Sequence, residues 1–306
     1  MTGVRSSPSR FDMRDKVVLI VGASSGIGRL FAVAAAKRGA LVAVSARREA
    51  LLETLAAEIR AQGGQCLVVA VDALDDAACQ AMVDTVAAHY GRIDVALLNA
   101  GGAGAMDTRV LTPADVTRCM RQNYDVVVNP MMPILGYMSR QGRGVVMTTN
   151  SLAGFVPLPL QGPYSAAKGA LRLLVDTCRL EYGNRGISFV TLYPGFVSTE
   201  AHQGDGMPSE HEVSPERAVR HFMKALDQQK PDHLFPLRPV LQIRAGLLLP
   251  ARLRRKILAA FVQPDPRACS DSEAPAGVAE LTAGSATATA GRRNPAPASA
   301  PVLEEV

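Results

Sequence analysis

KVVLIVGASSGIG, residues 16–28, is the stretch on which the fold turns. Lys16 to Val21 is a short, β-branched apolar run, as expected of a strand buried on both faces of a parallel sheet. It runs into a glycine-rich turn, Gly22 to Gly28, and then into a helical pattern from Arg29 to Arg38. The alternation continues along the chain. Strands are read at Ala40–Ser45, Cys66–Val71, Ile93–Leu98, Val145–Thr149 and Ile187–Leu192. Helices are read at Glu49–Gln62, at Asp75–Tyr90, from Pro113 with Thr112 as its cap, and at Tyr164–Tyr182. Buried strands that alternate with helices imply βαβ crossovers. The fold class is therefore α/β: a doubly wound parallel sheet in three α/β/α layers, one domain over 14–237.

The turn has the pattern G-x-x-x-G-x-G. Gly22 would permit the tight turn, Gly26 a close backbone approach to a pyrophosphate, and Gly28 the packing of helix on sheet. Free N–H groups at a helix start favour anions, so the stretch reads as a dinucleotide site, with a plain structural turn as the competing reading. The end of the second strand chooses the dinucleotide. An acid there would hold a ribose 2′-hydroxyl, but the chain has Ser45, Ala46, Arg47 and Arg48. Arginines suit a 2′-phosphate, which favours NADP(H) over NAD, unless they only line a solvated helix. Asp72, just past the third strand, is placed to meet an adenine or to cap its own loop.

Chemistry is read from SLAGFVPLPLQGPYSAAK, residues 151–168. Tyr164 and Lys168 stand at i and i+4, on one face of a helix. A tyrosine hydroxyl titrates near ~10. A neighbouring ammonium favours phenolate and is expected to lower that value, bringing the phenol nearer the range for proton transfer at neutral pH. Ser151, at a strand end, is placed to hold a carbonyl or hydroxyl against the tyrosine. The bland alternative is a solvated helix pair.

The remaining composition sets limits. The chain has 306 residues, 48% hydrophobic and 20% charged, the proportions of a globular protein with a substantial core. Five scattered cysteines without a C-x-x-C argue against a disulfide framework or a zinc site and for a reducing cytosol. The first 13 residues read as an extension without the apolar core of a secretory signal. No apolar run reaches the ~18 residues of a membrane span, so a cytoplasmic location is expected. The net charge of +5 is concentrated in Arg238–Gln263, which holds no acid, so nucleic-acid binding is not indicated. Residues 238–264 read as a basic, apolar helical appendage that packs on the domain, lies on a membrane surface or flanks the pocket of a large apolar substrate. Residues 265–306, rich in Ala, Pro, Ser and Thr, read as a disordered tail. Between Thr199 and Ser214 a polar loop carrying His202 and His211 suits a mobile cover over substrate. Ser214 then caps a helix to about Gln228, and Leu234 and Phe235 suit a last short strand.

With these pieces in order the chain resembles the short-chain dehydrogenase/reductase family over roughly residues 14–237. The resemblance rests on VGASSGIG at 21–28, Asn99-Ala100-Gly101, Asn123, the Ser151/Tyr164/Lys168 set and PGFVST at 194–199. It implies a Rossmann-like domain that interconverts a carbonyl and an alcohol with NADP(H). Cofactor contacts would fall on Gly22, Ser24, Ser25, Gly26, Ile27, Gly28, Arg47, Arg48 and Asp72, then on Asn99, Ala100, Gly101, Pro194, Gly195, Val197 and Thr199, with Tyr164 and Lys168. Tyr164 would exchange a proton with the substrate oxygen, Lys168 would lower its pKa and bond the nicotinamide ribose, and Ser151 would orient the carbonyl. Asn123 would hold a water that connects Lys168 to solvent, and Asn99 would fix its turn. The chain departs from the family pattern at Val21, Leu98, Val126 and Asn150. Pro130 and Pro133 are expected to kink or break the helix after Asn123, at about 3 kcal/mol each, which leaves the water geometry and the family's helix-pair dimer open. A non-catalytic dinucleotide sensor and a membrane-peripheral protein remain the alternatives on this fold.

Overall fold

In strand β1 (Val17–Val21), Val17, Leu19 and Val21 pack on one side of a sheet and Val18 and Ile20 on the other. Both faces are covered, which is why the run is apolar throughout. The structure is a computed structural model that describes residues 10–102, 104–198 and 212–259. After β1 come α1 (Gly26–Ala36), β2 (Leu41–Ser45), α2 (Glu49–Ala61), β3 (Gln65–Val68), α3 (Asp76–Tyr90) and β4 (Val95–Leu98). The second half runs α4 (Pro113–Met120), α5 (Val126–Gln141), β5 (Gly144–Thr149), α6 (Gly162–Tyr182), β6 (Ile187–Pro194), α7 (Pro215–Asp227) and β7 (Asp232–Phe235). Two helices follow, α8 (Leu237–Leu248) and α9 (Ala251–Ala259). The seven strands pair in parallel in the order β3-β2-β1-β4-β5-β6-β7. The chain leaves β1 toward β2 and β3 and then returns to β4 on the other side. Open sheets of this kind form their ligand crevice at that reversal, beyond the carboxyl ends of the strands.

One face is covered by α1, α2 and α7 through Phe31, Leu52 and Phe222. The other is covered by α3, α5 and α6 through Met82, Ile134 and Leu171. Met13, ahead of β1, is 1% exposed and joins the core under α1, α2 and α7, and the Phe11 N–H donates to Asp227 Oδ1 at 3.2 Å. Thr112 caps α4 with a reciprocal bond to Asp115, as the sequence leads one to expect.

Two expectations need correction. Helix α1 starts at Gly26, three residues before the apolar pattern: Ser25 is extended (φ −156°), Gly26 turns the chain with φ +55°, and the Arg29 N–H already donates to the Ser25 carbonyl at 3.4 Å. The helix carrying Pro130 and Pro133 is not broken: α5 runs through both prolines. Val127, Met131, Ile134, Leu135 and Met138 are buried along it, and burial of about 1.5–3 kcal/mol for each such side chain outweighs the roughly 3 kcal/mol each proline costs. The irregularity lies upstream, as a π-helical turn at Arg121–Asp125 that contains Asn123.

The basic segment forms two helices. Val240 of α8, with Ile243, packs on Leu152 and Tyr193 at the edge of the crevice, whereas α9 buries no side chain. Among the described residues no helix is long and apolar enough to cross a membrane. Thr199, His202, His211 and the tail at 265–306 lie outside the described residues.

Candidate functional site

The glycine turn is a closed cradle. Gly22 has φ +85°, and a Cβ there would lie 2.6 Å from the Ala100 nitrogen. A Cβ on Gly28 would lie 2.1 Å from the Gly22 carbonyl oxygen, so helix and turn touch backbone to backbone. Gly26 has φ +55°. Ser25 makes no side-chain cap bond at the start of α1, which leaves N–H groups of the first turn to an outside acceptor. Ile27 is buried beneath the turn. Arg48 folds over it: its Nη2 donates to Ser24 Oγ at 3.0 Å and to Ser25 Oγ at 2.9 Å. Arg47 is exposed. Asp72 is exposed and accepts the Leu74 N–H at 3.0 Å, capping its own loop. Turn, helix start and arginines together fit an anionic dinucleotide.

From this cradle a hydrogen-bonded chain runs to the lysine. Asn99 Nδ2 donates to the Gly22 carbonyl at 3.2 Å. Asn99 Oδ1 accepts from Thr149 Oγ1 at 2.8 Å, and Lys168 Nζ donates to the Thr149 carbonyl at 3.2 Å. Lys168 is 3% exposed, and its Nζ lies over the Tyr164 ring, 5.6 Å from the centroid. The phenol hydrogen-bonds the Ser151 side chain. Ser151 is itself set by two bonds: its N–H donates to Asn150 Oδ1 at 2.8 Å, and its Oγ accepts the Ala153 N–H at 3.1 Å. The sequence-predicted Ser151, Tyr164, Lys168, Asn99 and Gly101 are thus gathered at the carboxyl ends of β1, β4 and β5. A Cβ on Gly101 would lie 3.6 Å from Lys168 Nζ. Pro194 ends β6, the Gly195 N–H donates to the Phe235 carbonyl at 2.8 Å, and buried Val197 is bridged to Val213.

The titration order differs from the one the i, i+4 spacing suggests. Burial pushes the Tyr164 phenol above 10, and the Ser151 hydrogen bond only partly opposes this. Burial also lowers Lys168 from 10.5 to about 8. The amine therefore loses its proton before the phenol does, and its charge is gone when the phenol titrates. In the protein alone desolvation outweighs whatever lowering the lysine gives the phenol. At neutral pH the pair is an ammonium and a protonated phenol.

The Asn123 side chain anchors a turn. It is fully buried, its Nδ2 donates to the Gly102 and Cys119 carbonyls at 3.1 and 3.0 Å, and its Oδ1 accepts the Gly102 N–H at 2.9 Å. Both amide hydrogens and the side-chain carbonyl are engaged, so this side chain fixes the Gly101–Gly102 turn beside Lys168. Thr149 is the residue that sequence reading missed. It lies at the end of a strand read only as core, and its bridging role depends on the register of β4 beside β5.

A dinucleotide crevice next to a Ser-Tyr-Lys cluster, with Ser151 and Lys168 buried and Tyr164 partly exposed, defines an oxidoreductase of the Rossmann-like kind. The chain belongs to the short chain dehydrogenase family, which it matches over residues 16–207. An uncharacterized oxidoreductase of Listeria monocytogenes is 29% identical over 228 residues, 71% of this chain and 92% of that protein. An 11-beta-hydroxysteroid dehydrogenase A of Arachis hypogaea is 34% identical over 210 residues, 67% of this chain and 59% of that protein. Among solved structures, an alcohol dehydrogenase from the archaeon Thermococcus sibiricus complexed with 5-hydroxy-NADP superposes with a TM-score of 0.66 at 27% identity. That match covers 72% of this chain and 95% of the archaeal one.

Proposed function

We propose that the chain is an NADP(H)-dependent oxidoreductase that interconverts a ketone or aldehyde and an alcohol, with Tyr164 exchanging the proton on the substrate oxygen. The observation that carries this reading is the hydrogen-bonded chain from the Gly22 turn through Asn99 and Thr149 to Lys168, with Tyr164 and Ser151 beside it. One network joins the cradle to Lys168, whose Nζ lies over the ring of the proton donor. The bound nicotinamide supplies the hydride. Gly22, Ser24, Ser25, Gly26, Ile27 and Gly28 hold the pyrophosphate, Arg47 meets the 2′-phosphate and Arg48 pins the serines of the turn. Asp72 would face the adenine side, and Ala100, Gly101, Pro194, Gly195 and Val197 would border the nicotinamide, with Thr199, outside the described residues, proposed to meet its carboxamide.

Ser151 and Tyr164 receive the carbonyl oxygen, and the protonated phenol gives its proton as negative charge develops there. Lys168, cationic at neutral pH, stabilises the phenolate left behind. The protonated phenol is the form competent for carbonyl reduction, and alcohol oxidation needs the phenolate. Leu152, Phe155 and Tyr193 form an apolar wall next to Ser151, with the Phe155 and Tyr193 rings 4.8 Å apart. That wall, with a relative named as a hydroxysteroid dehydrogenase, supports a large apolar carbonyl as substrate. NADPH and NADH titrated into the full chain, followed by NADPH consumption over ketones and aldehydes graded by size, test the proposal. A charged hydrogen bond to the 2′-phosphate predicts NADPH binding about tenfold tighter or more. Equal affinities overturn the cofactor choice, and no binding of either overturns the function.

A further inference from the structure

We propose that α8 and α9 form a docking surface for an anionic lipid membrane. The inner side of α8 is occupied, since Val240 and Ile243 pack on Leu152 and Tyr193. Among the described residues nothing covers its outer side. Leu237, Leu241 and Leu248 stand at i, i+4 and i+11 on one stripe and are 70%, 55% and 88% exposed. Leu253 and Ile257 continue the apolar surface on α9, at 46% and 44% exposed. Around these leucines the segment Leu237–Ala259 carries six basic residues, Arg238, Arg244, Arg252, Arg254, Arg255 and Lys256, and no acidic one. Arg244, at i+7 of the leucine stripe, lies within it.

Apolar side chains flanked by cations that have no ion-pair partner among the described residues match a bilayer interface, where leucines enter the acyl boundary and guanidinium groups meet phosphates and serine carboxylates. A second copy of the chain fits less well. A two-fold contact would set this face against itself, bringing Arg244 near its own symmetry mate with no acid between 237 and 259 to offset it. Docking through α8 would place the turn that carries Ser151 about one helix diameter, ~10 Å, from the lipid. This claim concerns the surface and stands apart from the chemistry proposed for the crevice.

The experiment is co-sedimentation of the full chain with vesicles of phosphatidylcholine alone or mixed with phosphatidylserine, at low and high salt. The expected result is binding to the mixed vesicles only, lost at high salt. Arg252→Gln with Arg255→Gln should weaken partitioning roughly fivefold per charge removed, and Leu241→Asp with Leu248→Asp should abolish it. Near-ultraviolet circular dichroism and dinucleotide binding verify that the variants are folded. Should the leucine pair fail to fold, the arginine pair at exposed positions still decides. Absence of binding, equal binding to phosphatidylcholine alone, or an unchanged arginine variant overturns the proposal. So does a leucine variant that turns a sedimenting dimer into a monomer while vesicle binding persists, because a second copy then covers this face.

Discussion

Replacing Gly28 by alanine probes the contact that joins fold to site. The added Cβ would lie 2.1 Å from the Gly22 carbonyl oxygen and 2.9 Å from Asn99 Nδ2. Ordinary contact begins at 3.4 Å, so the turn must move by 3.4 − 2.1 = 1.3 Å. Gly22 has little freedom to do so. Its N–H donates to the Ser45 carbonyl at 2.8 Å, its carbonyl accepts from Asn99, and its open side faces the Ala100 backbone. Overpacking of this kind costs about 1–3 kcal/mol, and loss of the Asn99 bond adds about 1. Removing a helical glycine returns about 1 kcal/mol. The net expectation is a destabilisation of about 1–3 kcal/mol in urea unfolding, with NADPH affinity down about tenfold or more because the pyrophosphate cradle has shifted. Gly246→Ala is the control. It lies inside α8 with nothing within 4 Å of its added Cβ, so it should be neutral or stabilising by up to about 1 kcal/mol. An unchanged unfolding midpoint and unchanged NADPH affinity in Gly28→Ala would refute the backbone-contact argument.

Burial of the Lys168 ammonium should cost stability. Its value falls from 10.5 to about 8, so the unfolded chain keeps the proton in that window while the native chain releases it, and stability rises with pH there. Lys168→Met is expected to be more stable than wild type by about 1–3 kcal/mol at pH 7, with the advantage shrinking above pH 8; a less stable variant counts against the buried charge. On activity, kcat/KM should decline above about pH 8 as the free enzyme loses this proton, and a profile flat to pH 9.5 would contradict that. His233 is lowered from 6.5 to about 4, first by burial and then by the charge of His221, whose Nδ1 is 3.0 Å from its Nε2. The unfolded chain then binds the extra proton, so stability should fall as pH drops from 6.5 toward 4, at up to about 1.4 kcal/mol per pH unit. His233→Phe should flatten that slope, and an equally steep loss in the variant would assign it to other groups.

The sheet was legible because a strand covered on both faces must be apolar at every position, and Val17–Val21 is. The start of α1 was not, since glycines read as turn until the extended Ser25 shows where the helix begins. Pro130 and Pro133 misled because local cost was weighed without the five core side chains that hold α5 in place. In the site, residue types and spacing named Ser151, Tyr164 and Lys168. Spacing along a helix carries charge proximity but not burial, so it could not show that the lysine titrates before the phenol. Thr149 and the engagement of Asn123 with Gly102 were out of reach for a related reason. Both depend on which backbone groups the strand register and the π-helical turn bring together, and neither leaves a pattern in the sequence.

The Tyr164 hydroxyl is the proposed proton donor to a carbonyl in this crevice. The most direct measurement is NADPH-dependent reduction of an accepted carbonyl by Tyr164→Phe, alongside NADPH titration of the same variant. Proton transfer from a positioned side chain contributes roughly 10²–10⁴-fold, so turnover should fall by that factor while NADPH affinity stays near wild type. Reduction at the wild-type rate by a variant without the phenol oxygen would contradict the central claim.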